Sequence, residues 1–548
     1  MADTAVAAEP AKGPDKNPKG RKVKLINRIG FGSGNLVGSG ALALASAWLM
    51  IFLTSYCGLE QSQATVVTSF ALLVDVIINP LAGFISDSFN NTKLGRKFGR
   101  RRFFILLAVP LLFLLNVLLW HVVEGAFWYY FAIYICYNIV YTFVMVPYNS
   151  LPAEMTTDFE ERTYLGGLKA IFGKVANFLV NALPGVFFLI YGEKSETAFV
   201  VMGICFGVIM AASMLFVYLT TWERPVSEEV TEKVESIGEG MKKLFIDITS
   251  TFRLRTFRHL LGMYLFGFGA EWLYNSTFVY FVMYVLFLPK TQSSFWQSLS
   301  PIMQLISTIV VMGIVAKKGF RKPYMVAETV VIASVLCYVA IGFTGGFTVD
   351  NPATMATIAL VTGIVVFFGL GTGAVYYIPW QAYIFVPDAD EIVTGRRREG
   401  TYAAAMTLCG KLMNASVVAI LGTTLALAGY VKGTDVVQPA SVTSAVLWIM
   451  LIGVVGLSIL GAYFAKRMQL DKETDQVLIA ESERVLRQGG RMEDVDPEVK
   501  RTCERLTGVP YDICFGHNGF GYHTPEERAE LKEWQAAHPE AGKTKAAK

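Results

Sequence analysis

The stretch LLVDVIINPLAGFISDSFNNTKLGRKFGRRR, Leu72 to Arg102, decides the fold. Its first half is an apolar run interrupted by one carboxylate, Asp75, and one amide, Asn79. Its second half is a short loop crowded with Lys and Arg. An apolar helix that ends in a basic loop reads as a membrane span retained on the cytoplasmic side. A lone carboxylate inside such a span must face a cavity, an ion or a basic partner, because a charge in hydrocarbon is costly.

The remainder of the chain repeats this alternation. It is 53% hydrophobic and 17% charged over 548 residues, with a mean hydropathy of +0.45. That is too little charge to cover a soluble protein of this size. A span needs about 20 mostly apolar residues, and twelve stretches qualify. Six lie near 30–56, 66–86, 102–122, 127–150, 168–190 and 197–220, and six near 260–288, 296–316, 323–344, 354–386, 402–430 and 438–465. The basic segments KLGRKFGRRR, KKGFRK and TGRRREG fall on one side of that pattern, with the charged central link and both ends. The intervening loops YCGLEQSQ, HVVEGA and IGFTGGFTVDNP carry almost no Lys or Arg. Several loops agree, so the positive-inside rule places the basic side in the cytoplasm of a plasma or inner membrane.

The expected organisation is all-α: a lead over 1–28, a six-helix bundle over 29–220, a link over 221–256, a second bundle over 257–465 and a tail over 466–548. Two bundles suggest a solute path between them with alternating access. No repeated filter marks a channel, and no GxxxxGK[ST] segment points to ATP. The 7 Cys form no CxxC pair and the 5 His do not cluster, so neither a metal centre nor a disulfide framework is expected. Cys503, Cys514, His517 and His523 match no zinc spacing. In the tail, Thr524 with Glu527 three residues on reads as a capping box opening a short helix. No enzyme chemistry, cofactor or nucleic-acid partner is indicated, and the chain is expected to be monomeric.

Three segments resemble the glycoside–pentoside–hexuronide:cation symporters, the melibiose-carrier group of the major facilitator superfamily. They are DVIINPLAGFISDSF with GRKFGRRRFFIL, then YTFVMVPYNSLPAEMTTDFEERTYL, then DADEIVTGRRREGTYAAAMTLCGKLMNAS. The resemblance covers roughly 25–465 and implies two six-helix bundles moving a sugar or glycoside with H⁺ or Na⁺. It implies a cation site at Asp75, with Lys411 in the eleventh span as a charge partner. The family's second helix-2 Asp falls on Asn79, which cannot titrate. Met145 stands where the melibiose carrier has an acid, and no acid lies between Arg28 and Glu60. Lys169 approximates the carrier's helix-5 Arg. The loop residues Asp87, Arg100, Arg101 and Arg102, with Arg397 and Glu399, correspond to a cytoplasmic gate, although inside retention alone also explains the cations.

Outside the resemblance, Glu271 in FGFGAEWLYNSTF supplies a buried acid that serves either a solute or a basic partner. Trp128, Tyr148, Tyr377, Trp380 and Gln381 are candidate solute contacts, since sugar C–H faces stack on aromatic rings and hydroxyls need polar groups. Membrane interfaces are rich in Trp and Tyr anyway. Pro379 should bend the tenth span. A carrier of another solute, including a lysolipid-like one, and a non-transporting sensor or scaffold that uses the tail are the competing readings.

The topology is checked by cysteine labelling. A probe at Gln61 or Thr348 should react with an impermeant reagent applied to intact cells, and one at Arg397 should not. Outside labelling of Arg397→Cys would overturn the orientation.

Overall fold

The structure is a computed structural model, and it describes residues 22–89, 92–156, 159–223, 237–396, 398–433 and 437–542. Each of the twelve apolar stretches is a helix. We number them α1 (Leu25–Ser55), α2 (Gln61–Ser88), α3 (Arg102–Leu119), α4 (Phe127–Met155), α5 (Phe159–Tyr191) and α6 (Glu196–Thr220). After the link helix Ile237–Thr251 come α7 (Arg255–Tyr284), α8 (Lys290–Lys318), α9 (Arg321–Thr344), α10 (Met355–Tyr383), α11 (Glu399–Leu427) and α12 (Ala440–Arg467). Among the described residues, 10 helices are long and apolar enough to cross a membrane. α2 and α7 are 28 and 30 residues long but are not among them. In α7 the polar residues Arg255, Arg258, His259 and Glu271 interrupt the apolar run, and part of α2 lies outside the described side chains.

Within the first six helices, α1 lies against α5 and α6, α3 against α6, and α4 against α2 and α3. Within the last six, α10 lies against α8 and α9, and α7 against α11 and α12. The two sets meet where α5 touches α8 and where α2 touches α11. Small residues allow that approach, as expected where helices associate without a hydrophobic gradient between them. A Cβ on Gly422 of α11 would lie 1.8 Å from Thr65 Oγ1 of α2. A Cβ on Gly185 of α5 would lie 2.8 Å from Ser294 Oγ of α8, which already accepts a bond from Gly185 N at 2.9 Å.

A polar joint reinforces the contact on the face away from the tail. The Glu193 carboxylate, just after α5, accepts from the backbone N–H groups of Lys290 (3.0 Å) and Thr291 (2.8 Å) and from the Thr291 hydroxyl. Lys290 is buried and donates to the Tyr56 hydroxyl at 2.6 Å, which in turn donates to the Glu193 carbonyl. This ties α1, α5 and α8 together at one end.

α1 is irregular. Its helical turns break at Gly34 and Ser39, and Ala45–Leu49 forms a π turn. Such single π turns shift side-chain register and occur often at functional positions. Pro379 lies four residues before the end of α10, and the short helix Val386–Thr394 follows after a two-residue break.

The tail is folded. α13 (Lys472–Ser482), α14 (Pro497–Thr507) and α15 (Pro525–Ala537) follow α12, and the expected capping box is present, with Thr524 accepting from Glu527 N. α13 and α14 lie against Val386–Thr394. The irregular segment between α14 and α15 bonds to the same short helix: Phe515 N donates to Ile392 O at 2.7 Å and Gly516 N to Val393 O at 3.0 Å. Asn518 is buried and donates to Val393 O (2.6 Å) and Ile513 O (2.8 Å). Cys503 and Cys514 are buried here as apolar side chains. Burial pushes the Cys503 thiol up to about 12.

Asn518→Ala removes both amide donations and the bond that Phe520 N makes to Asn518 Oδ1, while Val393 O keeps Gly516 N as a donor. We expect a loss of about 1–3 kcal/mol in tail docking, seen as faster amide exchange over 509–518 and easier proteolysis of the tail. Unchanged exchange there would show that the amide holds nothing.

Candidate solute-binding cavity

Between the two sets of helices lies a cavity of about 430 Å³. Its walls come from both. Asn177 and Asn181 on α5 face it with Ser39 and Ser46 of α1, and Ser46 belongs to the π turn. Glu271, Trp272 and Asn275 on α7 face it with Gln297 and Gln304 on α8, and Tyr376 and Trp380 on α10 complete the wall. The spacing explains why. Asn177 and Asn181, Glu271 and Asn275, and Tyr376 and Trp380 are each four apart, and Gln297 and Gln304 are seven apart, so each pair shares one helix face. Nearer the face away from the tail only about 20 Å³ remains among Met50, Ile51, Tyr134, Tyr280 and their neighbours. That is barely room for one water.

One hydrogen-bonded relay crosses the gap. Lys174 Nζ on α5 donates to Gln304 Oε1 at 2.7 Å. Gln304 Nε2 donates to Glu271 Oε1 at 2.7 Å and to Thr372 Oγ1 at 3.2 Å. Lys174 Nζ also sits 5.1 Å from the centre of the Tyr376 ring, a cation–π distance. Glu271 and Gln304 are 3% and 4% exposed, so the carboxylate cannot be solvated by bulk water. Its second oxygen, Oε2, meets no donor with hydrogen-bonding geometry among the described residues. That oxygen is itself buried, with Asn275 and Tyr376 as polar neighbours of the carboxyl, so a donor-rich solute or an ion gains it only by displacing part of this wall.

The other sequence candidates are placed as follows. Glu271 and Trp380 line the cavity. Tyr377 and Gln381 are half-buried neighbours on α10 that are not among its lining residues. Tyr148 is fully buried, stacks on Phe31 with ring centres 4.8 Å apart and donates to Phe31 O at 2.7 Å, so it fastens α4 to α1. Lys169 donates to Asn149 Oδ1 at 2.6 Å, with its ammonium 5.4 Å from the Tyr148 ring centre. Trp128 is 74% exposed at the start of α4, edge-on to Phe127 and Phe131, a position suited to a membrane interface. Asn79 and Lys411 are half-buried on α2 and α11, which touch each other. The side chains of Asp75, Asp87 and Glu399, and all of Arg397, lie outside the described residues.

The basic-loop cations have partners. Arg100 and Arg101 reach Glu154 of α4 at 3.0 and 2.5 Å. The backbone N–H groups of Arg100, Arg101 and Arg102 converge on the Glu223 carboxylate at 3.0, 2.9 and 2.5 Å. Burial raises the Glu223 pKa, against the pull of these donors. In the other half Arg398 makes a two-pronged pair with Asp390 (2.9 and 2.7 Å) and approaches Asp247 of the link helix at 3.5 Å, while Tyr402 donates to Asp390 at 2.7 Å.

Asn177, Asn181, Gln297 and Gln304 on the cavity wall, and Lys174 bonded to Gln304, are not among the candidates named from the sequence. Their signal was present as a polar stripe on otherwise apolar helices. Arg398 was also passed over in favour of Arg397.

With this geometry in view, a family model described as MFS/sugar transport protein matches residues 30–472. The chain belongs to that family. It is therefore a multi-pass membrane protein and a secondary transporter of small solutes. It is similar to an uncharacterized symporter of Synechocystis, 23% identical over 489 residues that cover 75% of this chain and 87% of the other. It is also similar to a glucuronide carrier protein homolog of Escherichia coli, 21% identical over 423 residues that cover 74% and 84%. Among solved structures, a D-xylose–proton symporter superposes with a TM-score of 0.58 at 13% identity over 81% of this chain and 96% of that one, a likeness of fold.

Gln304→Leu keeps the volume and deletes the link between Lys174 and Glu271. A buried carboxylate and a half-buried ammonium then lose a charge-assisted bond each, and the purified protein should lose about 2–4 kcal/mol of stability. Thermal unfolding in detergent measures this. An unchanged transition would mean that the relay is not formed.

Proposed function

We propose that the protein is a sugar or glycoside symporter driven by a gradient of H⁺ or Na⁺. The observation that carries this reading is the cavity between the two helix sets, lined by amides, hydroxyls, indoles and one buried carboxylate. Its volume of about 430 Å³ suits a small glycoside. Asn177, Asn181, Gln297 and Gln304 offer donors and acceptors in the alternating manner that sugar hydroxyls require, and Trp272, Tyr376 and Trp380 offer faces for the C–H surface. A lysolipid would need a long apolar trough in place of these amides. The names of the relatives, a glucuronide carrier homolog among them, support the same solute class.

In this reading α2 and α7 cross the membrane with the other 10 helices. The fold is then two six-helix bundles with the ends, the link and the tail in the cytoplasm. Lys174, Gln304 and Glu271 bind the solute. Asp75 is the coupling carboxylate, Asn79 a neutral ligand beside it, and Lys411 the partner released when the cation arrives. Asp87, the basic loop and the Arg398 cluster close the cytoplasmic side.

The test is uptake of labelled glycosides into vesicles under an imposed pH or sodium gradient. Asp75→Asn should abolish accumulation and spare exchange at equal concentrations. Glu271→Gln should weaken apparent solute affinity by roughly tenfold or more, the worth of a charge-assisted hydrogen bond. Wild-type accumulation by Asp75→Asn would move coupling to Glu271. Failure of every glycoside to compete for uptake would remove the solute class.

A further inference from the structure

A second cavity of about 610 Å³ opens at the tail-side ends of α7, α9 and α12, away from the solute cavity. Arg255, Arg258 and His259 of α7 line it with Arg321 of α9 and Lys466 and Arg467 of α12. No carboxylate is among its described lining residues. The nearby Asp471 is engaged as the cap of α13, accepting from Thr474 N at 3.0 Å.

The placement runs against ordinary helix electrostatics. The N-terminal end of a helix carries partial positive charge and favours acids. α7 and α9 instead begin with Arg255, Arg258 and Arg321, and neither has an acidic residue in its first turn. Lys466 and Arg467 suit the C-terminal turn of α12, but they point their charge into the same cavity. Inside retention asks only for cations in the loops. It does not ask for five Lys and Arg side chains from three helices around one cavity. Two helix N-termini and these side chains together form a site for an anion.

Its surroundings indicate what carries the anion. The Arg467 guanidinium lies 4.5 Å from the centre of the Tyr463 ring, and Tyr463 is 45% exposed at the rim. Above it on α12, Ile459 and Leu460 are exposed, and on α9 so is Val326. An apolar helix face directly above a basic cavity is the arrangement of a phospholipid, with chains along the helices and headgroup in the pocket. We infer that this cavity is a phosphate-binding site that holds the headgroup of an anionic phospholipid. The site is separate from solute transport and does not rest on the proposed substrate.

The experiment uses the full-length protein, with phosphatidylglycerol, phosphatidylcholine and inorganic phosphate as probes. Native mass spectrometry after delipidation should show retained phosphatidylglycerol and no retained phosphatidylcholine. R258Q/R321Q/R467Q should weaken phosphatidylglycerol binding on the order of 100-fold, at about a fivefold loss for each charge. R258K/R321K/R467K should retain it. If the triple Gln variant does not purify, R321Q alone should show the single fivefold step. Stabilisation by inorganic phosphate that needs the same arginines, without lipid retention, would keep the phosphate site and assign it to a soluble ligand. Binding of both probes that is indifferent to all three arginines overturns the site.

Discussion

A carboxylate and an ammonium buried in an apolar helix assembly must be accounted for by hydrogen bonds, and Gln304 does this for both Glu271 and Lys174. An amide accepts from an ammonium at its oxygen and donates to a carboxylate from its nitrogen, across a wider span than a single hydroxyl can bridge. Lys174 belongs to the first helix set, while Gln304 and Glu271 belong to the second. The relay therefore spans the interface at the point where the cavity lies. Replacing it by direct ion pairing would draw α5 and α7 together and erase the cavity. Leaving it unmade would strand two charges in low dielectric.

The rest of the interface is graded around that relay. On the side away from the tail, close helix contact at Gly185 and Gly422 and the joint of Glu193, Lys290 and Tyr56 hold the halves together. On the tail side the strong ion pairs run within each half: Arg100 and Arg101 to Glu154 in one, Arg398 to Asp390 in the other. Among the described residues these pairs join elements of the same half, and such pairs stiffen that half as a body. Under the proposed function, two stiff bodies joined at one end would let the cavity open at the other. Among the described residues the tail's bonds reach the link helix and the second set, at Asp247, Ile392, Val393, Arg255 and Thr256.

The helices were legible in the sequence because hydrocarbon leaves the chain few options: backbone polar groups must be satisfied internally, so apolar runs of sufficient length become helices. Ends shifted by several residues where polar turns extend the helix beyond the apolar run, as α5 does in starting at Phe159. The folding of the tail was only partly legible. The capping box at Thr524 announced α15. Nothing in the pattern disclosed that Asn518 and Phe515 would dock on a helix more than a hundred residues earlier, because backbone-to-backbone pairing leaves no residue-type signature. At the site, Glu271 stood out as a lone acid in an apolar helix. Gln304 did not, since an amide among Ser and Thr costs little anywhere and becomes important only through its neighbours. The aromatic candidates divided as physical chemistry suggests: Trp380 borders the cavity, Tyr148 fastens one helix to another, and Trp128 sits where an indole meets the membrane surface.

The relay also bears on how a neutral, hydroxyl-rich solute would be sensed under the proposed function. A sugar presents donors and acceptors on adjacent carbons, the same alternation that Gln304 presents at the two ends of its amide. A solute hydroxyl that displaces the Gln304 amide can donate to Glu271 while its neighbour accepts from Lys174, so binding competes with the amide for the same two charges. Competition of this kind couples occupancy to the distance between the halves, because Lys174 and Glu271 stand on opposite sides of the interface. A solute with only apolar surface has nothing to exchange for the amide and would leave the relay intact. Selectivity for polar solutes would then follow from the unequal cost of breaking the relay, without any group in the wall having to recognise one sugar by shape.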